Sequence, residues 1–260
     1  MKTPHTLLLG ALFTLPCMTW AEETPGQLFE HVPQRAWLEN YDPTLIGSRT
    51  FSEFIFESFD DDIDTFKIEN TIRWGIPVGD DLAAGFQVMI PVKWYDSPAS
   101  DNFGLGNIES RAGLVGRFSQ NLRWGAGVNA EFDSASDDNL GGGAFILRPT
   151  AVLSWDVSKR VNLGMNIEYN FTPFSEGPDD VSTLELKFPV AFKINECWSG
   201  FVSYKPSWLF LDEDERHLLE SGVTRVFGAR EQYALSIVGE IPLVSEDYHF
   251  KLAAGFGWYF

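Results

Sequence analysis

Tyr248-His249-Phe250-Lys251-Leu252-Ala253-Ala254-Gly255-Phe256-Gly257-Trp258-Tyr259-Phe260 closes the chain. Phe250, Leu252, Ala254, Phe256, Trp258 and Phe260 alternate with Lys251, Ala253, Gly255, Gly257 and Tyr259. Neighbouring side chains on a strand point to opposite faces, so this stretch has one apolar face and one small or polar face. The same period of two recurs upstream. Phe66, Ile68, Ile72, Trp74 and Ile76 oppose Lys67, Glu69, Thr71 and Arg73. Leu122, Trp124, Ala126, Val128, Ala130 and Phe132 oppose Arg123, Gly125, Gly127, Asn129 and Glu131. Val161, Leu163, Met165, Ile167 and Tyr169 oppose Asn162, Gly164, Asn166 and Glu168. A soluble sandwich would turn the apolar faces inward. Here those faces carry aromatic residues at both ends, as in Trp74/Phe66, Trp124/Phe132, Trp155/Phe145 and Trp258/Phe250. Strands of this length, tilted at ~40°, rise roughly 20–25 Å, which matches an apolar band between two aromatic girdles. Trp74, Trp94, Trp124, Trp155, Trp258 and Phe260 are the expected girdle.

The composition excludes several alternatives. With 37 acidic and 19 basic residues in 260, the net charge is −18, the wrong sign for a phosphate backbone, so no nucleic-acid partner is expected. No apolar run reaches the ~18–20 residues of a membrane helix. An aromatic content of 15% is too high for a solvated coil. At the start, Lys2 precedes an apolar run through Leu7, Leu8, Leu9, Leu12, Phe13 and Leu15, and Thr19-Trp20-Ala21 precedes Glu22-Glu23. That is the layout of a secretory signal peptide over residues 1–21. Pro16 before Cys17 argues against lipidation. Cleavage leaves Cys197 as the only cysteine, a packing residue with no intrachain disulfide. The closing strand, ending on an aromatic residue, resembles the C-terminal assembly signal of bacterial outer-membrane barrels. The resemblance implies recognition by the barrel-assembly machinery through Phe260, with outer-membrane lipids and lipopolysaccharide around the barrel.

Turn signals set the strand count. Short ones fall at Gly79-Asp80-Asp81, Ser119-Gln120-Asn121, Ser158-Lys159, Asn195-Glu196 and Ala229-Arg230. Longer polar connections fall at 60–64, 96–102, 134–143, 174–180, 212–215 and 245–247. Their alternation predicts an all-β, antiparallel up-and-down transmembrane barrel of about twelve strands over residues 48–260. The stretches near 197–211 and 216–227 alternate weakly, which leaves ten or fourteen open. Residues 22–47 form a periplasmic N-terminal segment. Its Phe29, Trp37 and Tyr41 are candidates for a plug against the inward glycines Gly75, Gly85, Gly125, Gly127, Gly164, Gly255 and Gly257; alternatively the glycines serve only curvature.

The charge is distributed unevenly. Most acids fall in the long connections, while the inward positions mix signs. Arg73, Lys93, Arg111, Arg123 and Arg148, with Glu109 and Glu131 as partners, are the candidate lumen and selectivity residues. Such a lining is a polar conduit biased toward anions, or a salt-bridged filling in a closed structural barrel. Asp60-Asp61-Asp62-Ile63-Asp64-Thr65 has the alternate acids of a calcium loop, but Thr65 stands where the turn glycine belongs, so a solvated acidic rim is expected and no metal site. A surface hydrolase acting on lipid is the rival class: His249 follows Ser245, Glu246 and Asp247. His31 and His217 are the other histidines beyond the leader, and no serine-centred glycine elbow accompanies any of them. No catalytic residue and no cofactor are expected.

Phe103-Gly104-Leu105-Gly106-Asn107-Ile108 and Gly142-Gly143-Ala144-Phe145-Ile146-Leu147-Arg148-Pro149 resemble stretches of outer-membrane proteins named for the MetA pathway of phenol degradation, over roughly residues 82–208. Asn107 stands where that family has Asp. The resemblance implies an outer-membrane transporter for small aromatic or apolar compounds. The expectation is therefore a channel for passive uptake of small-molecule cargo.

Overall fold

The computed structural model describes residues 42–45, 47–59, 63–98, 100–174, 180–211, 213–228, 232–244 and 248–260. The plug candidates Phe29, Trp37 and Tyr41, His31, and the acidic positions 60–62 and 245–247 lie outside them.

Thirteen strands follow one another along the chain: β1 (Arg49–Phe59), β2 (Asp64–Gly79), β3 (Leu82–Ser97), β4 (Ser100–Leu105), β5 (Glu109–Ser119), β6 (Leu122–Glu131), β7 (Ile146–Ser158), β8 (Val161–Phe171), β9 (Ser182–Lys193), β10 (Trp198–Leu209), β11 (Asp214–Phe227), β12 (Tyr233–Val244) and β13 (Tyr248–Tyr259). All pair antiparallel with their neighbours, and β1 pairs with β13 from Arg49↔Tyr259 to Phe59↔Tyr248, which closes the sheet. β4 and β5 pair with successive halves of β3, at Val92↔Leu105 and Met89↔Glu109. They are two halves of one barrel strand, so the barrel has 12 strands. Closure leaves no unpaired strand edge, the condition for a sheet to sit in lipid.

The alternation places the apolar sets outside. Phe66, Ile72, Trp74, Trp94, Trp124 side by side with Phe118, Trp155, Leu252, Phe256, Trp258 and Phe260 all face outward, most of them exposed. The opposite sets face the interior: Arg73↔Gln87, Gln87↔Arg111, Arg111↔Asn129 and Asn129↔Arg148 run in register across β2, β3, β5, β6 and β7. A soluble protein buries the first set and solvates the second; this barrel does the reverse.

Two expectations change. Residues 96–102 are a tight turn at Pro98 between strands that stay paired through Asp96↔Asp101 and Ser97↔Ser100. Backbone pairing and the Trp94 Nε1 donation to Asp101, at 2.5 Å, keep this polar stretch extended. Cys197, buried in the β9–β10 turn, is disulfide-bonded. The second cysteine of the sequence, Cys17, lies outside the described residues.

Candidate functional site

The interior is a lined lumen whose residues come from every strand. On the wall formed by β5 to β8, Arg148 lies between two carboxylates, 3.1 Å from Glu109 and in contact with Glu131. Asn129 donates to Glu109 at 2.7 Å, and Asn107 donates to Glu131 at 2.9 Å. Arg111 stands 3.8 Å from Glu168, which also accepts from Thr150 at 3.0 Å. The Arg111 side chain is 41% exposed, the wettest arginine of these ion pairs. Charges at this density are tolerated because each has a partner or reaches water.

The facing wall repeats the pattern with lysines. Lys187 pairs with Glu220 and Lys205 with Glu240, at 2.5 and 2.7 Å. Lys67 contacts Glu57, and Lys251 approaches the same carboxylate to 3.8 Å. Glu53 and Glu69 oppose each other directly across β1 and β2. A cavity of about 270 Å³ lies between these groups, bordered by Arg49, Glu53, Glu69, Arg73, Lys187 and Lys251 together with Phe51 and Phe201. Arg73 donates through Nε to Gln87 at 3.0 Å beside it.

The two ends of the lumen differ. At the long-loop end the β6–β7 connection folds back over β4. Asn107, in the break between β4 and β5, accepts from the backbone N–H groups of Ser134 and Ala135 at 3.2 and 3.1 Å. Ser136 N–H donates to the Leu105 carbonyl at 2.9 Å. The 3₁₀ turn Asp138–Leu140 then brings Leu140, almost fully buried, over Gly104 and Gly106. Lys93 lies below: a Cβ on Gly106 would fall 2.7 Å from its Cε, so a larger residue there would push the lysine stem aside.

At the short-turn end Arg123 is 1% exposed. Its guanidinium meets Asp156 from β7 and, 2.7 Å away, Asp42 from the segment before β1. It also donates to Ser154 and to the Thr44 hydroxyl, both at 3.1 Å.

The structure thus brings Glu109, Glu131 and Arg148 into one cluster with Arg111 alongside. Arg73 borders the cavity, Lys93 lies under the folded loop, and Arg123 is apart from all of them, sealed from water. Asp42, Thr44, Ser154 and Asn162 around Arg123 were missed by sequence reasoning. Ser154 and Asn162 occupy inward strand positions, so their facing was readable; nothing in the sequence marked Asp42. Of the hydrolase candidates, His217 bonds the Tyr204 hydroxyl at 2.5 Å on the outer face and stands 3.6 Å from Glu215. His249 is exposed on β13.

No family model matches the chain, and no curated protein matches it. The likeness to the phenol-degradation family therefore stays a resemblance. Among solved structures, an outer membrane channel from Pseudomonas putida F1 superposes with a TM-score of 0.69 at 14% identity, covering 83% of this chain and 96% of that one. The NanC porin gives 0.56 at 10%, covering 81% and 98%. The CymD monoaromatic hydrocarbon channel gives 0.52 at 8%, covering 91% and 94%. At these identities what is shared is the barrel fold.

Proposed function

We propose that the protein is an outer-membrane channel for passive movement of small molecules, with no chemistry of its own. One observation carries the reading: a closed barrel with an apolar exterior encloses a charged, partly wet lumen. Arg73, Lys93, Arg111 and Arg148 line it, with Glu109 and Glu131 as their counter-charges. Outer-membrane lipids and lipopolysaccharide surround the apolar band, and Phe260 at the barrel seam is the handle for the assembly machinery. The lining selects cargo by charge. A hydrocarbon crossing it would bring no polar group to replace the water it displaces, whereas an ionised solute exchanges water for Arg or Lys partners. Small ionised molecules, aromatic acids among them, fit better than the apolar compounds that the phenol-degradation resemblance and the hydrocarbon-channel neighbour suggest. A closed structural barrel is the second reading, favoured by the direct ion pairing of Arg148, Lys187 and Lys205. Single-channel recording of the refolded protein in a planar bilayer, with reversal potential in a salt gradient, decides between them. Steady anion-preferring steps are expected. A silent bilayer from folded barrel, with folding checked by heat-modifiable gel migration, overturns the channel.

A further inference from the structure

Residues 42–45 lie inside the ring of strands and reach two separate parts of its wall. Asp42 and Thr44 are 2% and 0% exposed; Asp42 is fastened to β6 and β7, and Thr44 to β6. One Asp42 carboxylate oxygen accepts from Arg123 at 2.7 Å and from Ser154. The other accepts from the Thr44 N–H at 2.9 Å and from the Thr44 hydroxyl. Arg123 is held in turn by Asp156, while Asn162 from β8 donates to Ser154 and Asp156, both at 2.9 Å. Both carboxylate oxygens of Asp42 are used, and the side chain is 0% exposed.

Three residues later in the chain the contacts are with another part of the wall. Leu45 clusters with Ala191 of β9 and Phe201 of β10, and Val238 of β12 packs against the same group. The Ser48 carbonyl then accepts the Phe260 N–H at 3.1 Å and its hydroxyl accepts the Gly75 N–H at 3.2 Å, which ties the strap to the seam where β13, β1 and β2 meet. Phe201 and Val238 also border the 270 Å³ cavity, so the strap is packed against residues of its lining.

The wall is shaped to receive the strap. Gly75↔Gly85, Gly85↔Gly113 and Gly113↔Gly127 place four inward glycines in one row across β2, β3, β5 and β6. A Cβ on Gly127 would lie 2.7 Å from the Ala112 carbonyl oxygen, so the strands approach too closely for a side chain there. A hollow of about 80 Å³ remains between Gly85, Gly113, Gly127 and Pro43.

We propose that residues 42–45 are a crossbar that narrows the short-turn end of the lumen, and that the Asp42–Arg123 pair is its latch. Arg123 is then a positioning residue and sets no selectivity of its own; its charge is spent on holding the strap. Release of Asp42 frees the bar and widens the path from the cavity to the periplasmic side.

The proposal rests on the channel reading, and one set of recordings separates the two. The full chain is refolded as wild type, as the Asp42→Asn/Thr44→Val pair, and with residues 24–44 deleted. Folding is checked by heat-modifiable migration. The expected result is a several-fold rise in unitary conductance in both variants, with the sign of the reversal potential unchanged. If the paired substitution does not fold, the deletion gives the same readout. Wild-type conductance retained in the folded deletion variant overturns the crossbar and leaves the channel standing. Silence in wild type and in both folded variants overturns both.

Discussion

Arg123 and Arg148 lie on adjacent strands, both point inward, and both have acids within reach, yet they are in opposite situations. Arg148 lies among wall residues, with a side chain 19% exposed and two glutamates that are themselves partly wet. Arg123 is sealed, and one of its two aspartates comes from a segment 81 residues away in sequence. The pairing chemistry is the same. What separates them is a second piece of chain lying over one and water lying over the other. On the channel reading, a charge that keeps water contributes to what passes the lumen; a charge that loses it holds structure, since removing its partner strands a buried ion.

The largest effect that can break this comparison is therefore loss of Arg123. Arg123→Ala leaves Asp42, 0% exposed, without its cation beside a partly wet Asp156, and a broken buried pair costs about 3–5 kcal/mol. Denaturant unfolding of the refolded barrel should show that loss. An Arg123→Ala barrel as stable as wild type would put Arg123 in the same class as Arg148.

Arg148→Ala comes next. It strips the cation from Glu109 and Glu131, but Asn129 and Asn107 still donate to them and water reaches the site. A cost of roughly 1–3 kcal/mol is expected, the range for a buried polar group left short of a partner. The informative readout is electrical: two uncompensated carboxylates in the lumen should move the reversal potential toward cation preference. A change in stability with no change in reversal potential would mean that Arg148, too, is purely structural.

The legibility of these two sites in the sequence differs for a physical reason. A strand announces its facing by a period of two, so the inward positions of Arg148, Glu131, Arg123 and Asn162 and the outward girdle of Trp74, Trp124 and Trp258 were readable from the alternation alone. The same periodicity predicted Glu109 and Glu131 as partners of the inward arginines; the structure pairs them with Arg148, while Arg111 meets Glu168 and Arg123 meets Asp42 and Asp156. The strap has no period. Asp42-Pro43-Thr44-Leu45 looks like any polar turn with a proline, and the partners of Asp42 lie 81 and 112 residues onward. The break at Asn107 is equally silent: it interrupts one barrel strand to let a side chain hold a loop, and the polar stretch before it read as a connection when it is a paired hairpin. Periodic structure is written locally. Irregular segments inside a barrel are defined only by what they meet.

The smallest effect sharpens the comparison most, because it isolates charge from structure. Arg111 has its side chain 41% exposed and its carboxylate partner, Glu168, at 3.8 Å. An ion pair so open to solvent is worth about 0–1 kcal/mol, and Thr150 still donates to Glu168 when the arginine is gone. Arg111→Ala should unfold at nearly the wild-type denaturant concentration, yet remove a full positive charge from the wettest part of the lining. The expected outcome is a shift of the reversal potential away from anions, in the same direction as for Arg148→Ala and without its loss of stability. Arg111→Lys, which keeps the charge and loses the planar fork, should restore the wild-type potential. If Arg111→Ala leaves the potential unmoved while Asp42→Asn/Thr44→Val changes conductance, the ions see the strap and not the wall, and selectivity belongs to the short-turn end of the barrel.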